Sequence, residues 1–336
     1  MAQPAPVVVV GAGPVGLVAA LHARRLGRDV DLLTVRLPAE RRHVECVPAQ
    51  TIALLLEYGI APASLGVGRL YEARHLQWSH SQPISSRSAA SAHVSRPELE
   101  RALLAQAERC GVRIAPVAAG EAVTDQVDPH CLVLDATGRA SVTAERRWRP
   151  DSPIVCRTFH FAAPPSPDQG ALALAAGPDG YVYRLGNRNG ICLGVVGPGE
   201  LIKGHWPAIR ERIVRFAPWV VADLDGNDVQ AGGAGACSLQ WADMGPRATP
   251  IGDAAIARDA LSSQGLALGI GGALHAVSTA LTGRSPGPAR NGPEALYTHA
   301  GRVLGMIRSS PFRHHPAWRA YGAFLETHGP GTIDSG

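Results

Sequence analysis

The stretch "VVVVGAGPVGLVAALHARRLG", residues 7–27, decides the fold. Val7 to Val10 are four β-branched residues in a row, which suits a short strand covered on both faces of a parallel sheet. Gly11, Gly13 and Gly16 then form G-x-G-x-x-G, and a helical pattern runs on to about Leu26 before Gly27 stops it. Gly11 permits a tight turn, Gly13 lets backbone approach a pyrophosphate, and Gly16 lets the helix pack close on the strand. The helix start points its free N–H groups at the phosphates. "DVDLL" (Asp29 to Leu33) supplies a second strand at the expected distance. The glycine pattern alone also fits a turn without a ligand; its setting between strand and helix makes it a nucleotide cradle.

One part of such a cradle is missing. The acid that usually grips the ribose closes the second strand, and Thr34 stands there, followed by Val35 and Arg36. A hydroxyl holds a ribose less strongly than a carboxylate does. An NAD-first reading loses ground on the same residue.

The rest of the chain narrows the class. Its 336 residues are 46% hydrophobic, enough for one large or two medium domains with a buried core. The net charge of +4 is too small to argue for a nucleic-acid partner. The 6 cysteines are scattered with no C-x-x-C pair, which argues against a zinc ribbon or disulfide framework and for a reducing compartment. Met1 to Pro6 carry no Lys or Arg, so there is no charged leader region. No run reaches the roughly 18 apolar residues of a membrane span. The expectation is a cytoplasmic protein with neither membrane nor nucleic-acid partners. H-E-x-x-H, G-x-S-x-G and clustered Cys/His are absent, so neither a metal site nor a nucleophile triad is read.

A second signature lies far downstream, in "TPIGDAAIARDALSSQGLALGIGGALHAVSTAL" (Thr249 to Leu281). A short strand ends at Ile251, Gly252-Asp253 follows, and a helix begins near Gly265 with small residues along it. Its first N–H groups are free for a polar ligand edge. With both signatures in this order, the chain resembles the FAD-dependent aromatic hydroxylases, the group A monooxygenase and flavin halogenase superfamily. The resemblance implies FAD as cofactor. It implies that Asp253, after Gly252, contacts the ribityl chain, and that Ser263, Gln264, Gly265 and Leu266 lie along the isoalloxazine ring. Pro14, Val15, Thr34 and Arg42 join the glycines among the implied cofactor-binding residues. Ala260 and Ser263 depart from the family's usual proline and glycine, and Ser263 crowds one face of the ring.

Two intermediate stretches agree. "VSRPELERALLAQAERCG" (Val94 to Gly111) is an amphipathic helix with Leu99, Leu103 and Leu104 on one face. It resembles the family's R-x-x-L segment, whose arginine, here Arg96, reaches the cofactor; a solvated helix start is the plainer reading. "CLVLDATGRAS" (Cys131 to Ser141) reads as a strand ending in a turn from Asp135 to Gly138, similar to the D-A-T/S-G turn on the adenine side of such domains. Arg258 and Asp259 flank the flavin loop, where they can pair with each other.

"HVECVPAQTIALLLEYGI" (His43 to Ile60) resembles the superfamily's G-E-S/T-x-x-P segment, with Glu45 and Pro48 matching and Val44 in place of glycine. A helix follows with Ile52, Leu55 and Leu56 as its core stripe. Glu45 either relays a proton or orients substrate, or serves the helix dipole. His43 and His160 are the other candidate catalytic groups, each also readable as structural. Halogenation is disfavoured: the family's halogenases use a lysine, Lys203 is the only lysine and lies in the wrong region, and W-x-W-x-I-P is absent.

Through "VECVPAQTIALLLE", "GYVYRLGNR" and "LQWADM…IGDAAIARDALSSQGLA" the chain is most similar to the small flavoproteins that mature tryptophylquinone-dependent amine or amino-acid oxidases. That resemblance implies an FAD-dependent monooxygenase acting on an indole ring through a flavin C4a-hydroperoxide. Molecular oxygen is then the co-substrate, NAD(P)H or a reductase the electron source, and a precursor oxidase polypeptide carrying the target tryptophan the partner. A small aromatic substrate, an oxygen-independent FAD reductase or dehydrogenase, and a flavin-free binding protein stay open as alternatives.

The expected fold class is α/β: a Rossmann-like FAD-binding domain of the glutathione-reductase type, an inserted, mostly antiparallel β-sheet substrate domain, and C-terminal helices. Residues 1–60, 91–150 and 242–290 form the discontinuous FAD-binding domain, 61–90 and 151–241 the substrate domain, and 291–336 the helical segment. Strands at 158–163, 181–185, 190–196 and 236–241 would roof the flavin. A helical segment from Lys203 to Asp223 would cover that face, with Trp206 and Trp219 as core rather than as substrate clamps. The C-terminal helices split at Pro311, and packing is their plainer role.

Overall fold

The valine run forms β1 (Val7–Val10), buried along its whole length, and α1 (Pro14–Arg25) follows from the glycine turn. The computed structural model describes residues 6–35, 43–117, 127–162, 171–224, 229–236, 239–242, 248–258, 261, 264–282 and 293–328. After α1 come β2 (Val30–Thr34), β3 (Val44–Pro48), α2 (Ala49–Glu57), β4 (Leu70–Gln77) and β5 (Ile84–Ser95). The chain continues through α3 (Arg96–Arg109), β6 (Arg113–Pro116), β7 (Leu132–Asp135) and β8 (Arg147–Trp148). Four long strands follow: β9 (Val155–Phe161), β10 (Leu172–Gly177), β11 (Gly180–Asn187) and β12 (Gly190–Gly197). Short helices α4 (Gly199–Ile202), α5 (Trp206–Val214) and α6 (Pro218–Val221) lead to β13 (Val229–Ala236) and β14 (Gln240–Ala242). The last elements are β15 (Thr249–Pro250), β16 (Ile256–Ala257), α7 (Gly265–Thr282), α8 (Pro293–Ser309) and α9 (Pro316–His328).

Three sheets result. The first is wholly parallel, in the order β15-β7-β1-β2-β6, and carries α1, α3 and α7 in one apolar core. The second runs β13-β9-β12-β11-β10-β4-β5-β3 and is antiparallel except where β10 meets β4. A small antiparallel sheet joins β16, β14 and β8. This is the expected α/β architecture. β3 hydrogen-bonds to β5, so the Glu45 strand belongs to the large sheet while its neighbour α2 packs in the core of the parallel one. His22 ties three helices of that core: its ring nitrogens lie 2.8 Å from Tyr58 Oη and 2.8 Å from Ser278 Oγ.

Several expectations need correction. Leu56 is not in the core stripe of α2; it is exposed, and Thr51 is buried beside Ile52 and Leu55. The strand expected over 236–241 is two strands, β13 and β14, in different sheets. Trp206 is core, as expected, and its segment packs on the face of the large sheet away from Cys192, where Trp206 lies 4.9 Å from the Phe161 ring and 5.2 Å from Phe159. The alternation of β9 and β12 explains this, since Phe159, Phe161, Ile191 and Leu193 face α5 whereas His160 and Cys192 point the opposite way. The Gly265–Thr282 helix is long and apolar enough, by length and composition alone, to cross a membrane, a test that core helices also pass. Here it buries Leu266, Ile270, Ala273 and Val277 in the core beside α1. The C-terminal helices α8 and α9 close the large sheet's other end: Trp318 Nε1–H donates to Gly177 O at 2.7 Å and Trp78 Nε1–H to Met306 O at 2.7 Å.

Candidate cofactor and active site

Three signature turns stand side by side at the carboxyl ends of adjacent parallel strands. Gly11 follows β1, Ala136 follows β7 and Gly252 follows β15. Such a crevice is where open parallel sheets bind ligands. Gly11 has φ of 109°, and a Cβ there would strike Ala136 O at 2.6 Å. A Cβ at Gly16 would lie 2.0 Å from Gly11 O, so the helix can sit this close only without a side chain. Gly13 differs: the nearest group to a Cβ there is Arg96 Nη2 at 3.8 Å. Space therefore remains in front of Gly13 at the start of α1, where backbone N–H groups are free. Pro14 suits the first turn of α1, having no N–H to leave unpaired. Val15 reaches across to the second signature, its methyls within 2.9 Å of where a Gly252 Cβ would be and 2.8 Å of a Gly269 Cβ.

The adenine-side turn is bound to the same crevice. Asp135 is fully buried, and its carboxylate accepts from Thr137 N–H (2.9 Å), Thr137 Oγ1–H (2.6 Å), Thr143 N–H (2.9 Å) and Thr143 Oγ1–H (2.8 Å). With those bonds Asp135 holds the turn's shape; Gly138, at φ of 64°, has open space where a side chain would be. Ser141 Oγ–H donates to Ala254 O at 2.6 Å, and Arg139 donates to Arg258 O at 2.9 Å. Arg139 Nε also lies 4.0 Å from Asp253 Oδ2. Burial raises the Asp253 carboxyl above its ordinary range, with Arg139 pulling the other way. Asp253 Oδ1 is 3.9 Å from a Gly265 Cβ position, beside the first turn of α7, and Gln264 O accepts from Leu268 N–H to start that helix. Leu266 turns into the core, whereas Gln264 and Gly265 are exposed. Thr34 closes β2 with its side chain buried. Arg42, Asp259 and Ser263 lie outside the described residues.

Arg96 begins α3 facing this crevice. Its N–H donates to His43 O at 2.8 Å, and its guanidinium forks between Glu45 and Glu100, 2.5 Å from Glu100 Oε1. Burial alone would raise the Glu45 carboxyl, but the charges of Arg96 and His43 and the Arg96 hydrogen bond hold it below its ordinary value. Glu45 is thus an ionised acceptor near neutral pH. Burial keeps His43 below its usual value and neutral, opposed by the charge of Glu45. His43 and His160 come together with rings 5.9 Å apart, edge to face. Both line a cavity of about 450 Å³ that also touches Ser95, Glu98, Arg101 and Asn189.

Three residues of this site escaped the sequence reading. Glu100 shares Arg96 with Glu45; the i, i+4 spacing on α3 was its signal. Arg139 reaches Asp253 only through the folded turn. Cys192 sits beside His160 because β12 and β9 pair in that register, which no local pattern reveals.

Comparison with known proteins agrees with this geometry. The family model for the alanine dehydrogenase/PNT C-terminal domain matches residues 1–107, a minority of the chain that includes the glycine turn. No curated protein matches. Among solved structures, the peptidyl tryptophan dihydroxylase QhpG, essential for tryptophylquinone cofactor biogenesis, is 20% identical; the match covers 99% of this chain and 77% of QhpG with a TM-score of 0.65. The myxobacterial chondrochloren halogenase CndH is 17% identical over 99% of this chain and 87% of its own, with a TM-score of 0.68. The flavin-dependent brominase Bmp2 is 16% identical over 97% and 90%, with a TM-score of 0.67. The fold is that shared by QhpG and these halogenases, matched over nearly the whole chain.

Proposed function

We propose that this chain is an FAD-dependent monooxygenase that hydroxylates an aromatic ring, and that the ring is the indole of a tryptophan in a partner polypeptide. The observation that carries the reading is the row of turns at Gly11, Ala136 and Gly252, with open space at Gly13 and Arg96 opposite. A dinucleotide fits that row. The N-terminus of α1 and Gly13 would take the pyrophosphate, and Asp253 with the first turn of α7 would take the ribityl side. When bound, FAD supplies the oxygen-activating chemistry, with electrons from NAD(P)H or a reductase.

The chain's own groups do the remaining work. Arg96, held between Glu45 and Glu100, fixes the entry to α3 beside the crevice. Glu45, held ionised, accepts hydrogen bonds and so orients a donor such as an indole N–H. His43, held neutral, can take a proton at a ring nitrogen from the substrate ring as it is oxidised. The large sheet walls one side of this region with His160 and Cys192.

Two observations favour a polypeptide indole over a free ring. The cavity at His43 is open to solvent and has Glu98, Arg101 and Asn189 in its lining, which suits a chain with a polar backbone. QhpG, whose named substrate is a peptidyl tryptophan, shares the fold over nearly the whole chain. Halogenation is disfavoured, because Lys203, the only lysine, caps α4 beyond the Gly197 end of β12, whereas His43 lies near the Gly190 end.

The test begins with the visible spectrum of the purified protein before and after FAD incubation and desalting. Retained flavin bands are expected. With reductant and air, tryptophan-containing peptides of a precursor oxidase should then gain one or two oxygen atoms by mass spectrometry. Flavin retention with oxidation of free phenols or indoles only would overturn the partner assignment. Flavin reduction without oxygen use would favour a dehydrogenase, and failure to retain FAD would remove the flavin reading.

A further inference from the structure

We propose that His43, His160 and Cys192 form a binding site for one zinc-class divalent cation, with a fourth position open to the adjoining cavity. The site does not depend on flavin binding, and with the cation bound His43 is a ligand and no longer the proton acceptor proposed above. Cys192 and His160 are paired residues of neighbouring antiparallel strands, so their side chains leave the sheet on the same face. His43 arrives from the residue before β3, its carbonyl pinned by Arg96 N–H. The potential ligand atoms of all three residues lie within 4.8 Å of one another. Tetrahedral zinc with bonds of about 2.0 Å to nitrogen and about 2.3 Å to sulfur needs ligand atoms roughly 3.5 Å apart. The three side chains would close by about an ångström, within the reach of side-chain torsions.

The donor set selects the metal class. One thiolate and two imidazoles suit zinc, cobalt or copper, whereas magnesium and calcium require oxygen donors. Cys192 is fully buried and His160 nearly so. Zinc-class cations bind the thiolate, so uptake releases the Cys192 proton. Val44 and Leu185 pack against Cys192 and enclose its sulfur. The cavity of about 450 Å³, lined by His43 and His160, gives the cation an entry path and leaves room for a water or an oxygen ligand in the fourth position. Three protein ligands with one open position is the arrangement of catalytic rather than structural zinc.

The test uses the full chain as purified, stripped with a chelator and titrated with Co²⁺. One equivalent should bind with a near-ultraviolet sulfur-to-cobalt charge-transfer band and the intense visible bands of four-coordination, and Zn²⁺ should displace it. Mg²⁺ should not. Cys192→Ser should abolish the charge-transfer band and weaken Co²⁺ at least tenfold while the circular dichroism spectrum is unchanged. If that variant does not fold, His43→Gln, outside the strands, carries the same expectation for affinity. Absence of the band, its survival in Cys192→Ser, or unchanged affinity in His43→Gln overturns the site. FAD retention is read separately, so either proposal can fail without the other.

Discussion

Val15 occupies the space that a side chain at Gly252 would need, so the two cofactor signatures from opposite ends of the chain interlock through one isopropyl group. A Cβ at Gly252 would meet Val15 Cγ1 at 2.9 Å, and Gly252 has φ of 61°. Gly252→Ala should therefore cost about 1–2 kcal/mol for the left-handed backbone and about 1–3 kcal/mol for overpacking. Thermal unfolding should show a lowered Tm, and FAD retention should fall with it. Adding Val15→Ala should recover the packing part and leave the backbone part, giving a clear coupling energy in the double-mutant cycle. Strict additivity would show that the two residues do not compete for space.

Arg96 separates two carboxylates that would otherwise face each other half-buried. Arg96→Ala should lift the Glu45 carboxyl, destabilise the fold by about 1–3 kcal/mol, and weaken FAD. That range lies below the cost for a fully buried pair because these groups keep some solvent contact. Arg96→Lys keeps the charge but cannot fork to both acids, so it should rescue only part of the loss. Urea denaturation and flavin titration measure the two effects. An Arg96→Ala variant as stable as the parent with unchanged FAD affinity would reduce Arg96 to a solvated helix start.

The parallel sheet was legible in the sequence because its signals are local. A valine strand, spaced glycines and a helix pattern lie within residues 7–27, and Asp135 and Gly252 each close a short apolar strand. Their meeting in one crevice came only with the strand order β15-β7-β1. Pairing across the large sheet was not legible, because its register joins strands far apart in sequence that carry no local signal of their partners. Cys192 was consequently not seen beside His160. Leu56 misled for a related reason: the leucine run in α2 is longer than the stripe that the core covers.

His93 makes acid stability a property of the large sheet. It is buried, stacked on Tyr71 with ring centroids 4.6 Å apart, and its Nδ1 lies 2.8 Å from Gly186 O. Burial lowers it from 6.5 to about 4, against the opposing backbone hydrogen bond of Gly186. The unfolded chain therefore takes up this proton before the folded one as pH falls. Stability from neutral His93 is fully present above about 6.5, declines through the window between, and is lost once pH passes below about 4, for a total of about 3 kcal/mol. Burial lowers His22 and His43 too, and they add to the same slope. Urea unfolding at a series of pH values should show the decline, and His93→Gln should flatten part of it. An unchanged slope in His93→Gln would place the titration elsewhere.

Gly13 and Gly16 separate folding from binding. A side chain at Gly16 would meet backbone at 2.0 Å, whereas one at Gly13 meets only Arg96 Nη2 at 3.8 Å. Gly16→Ala should open the contact between α1 and β1 and yield little folded protein, since backbone cannot move aside as a flexible side chain does. Gly13→Ala should fold with a Tm close to the parent, because its φ of −73° suits any residue. Its methyl would nevertheless stand where a pyrophosphate must approach the N-terminus of α1. FAD retention should fall at least tenfold in a protein whose circular dichroism and Tm are unchanged. If Gly13→Ala keeps its flavin, the cradle is not where the dinucleotide sits; if it unfolds like Gly16→Ala, the space in front of Gly13 is filled by the chain itself.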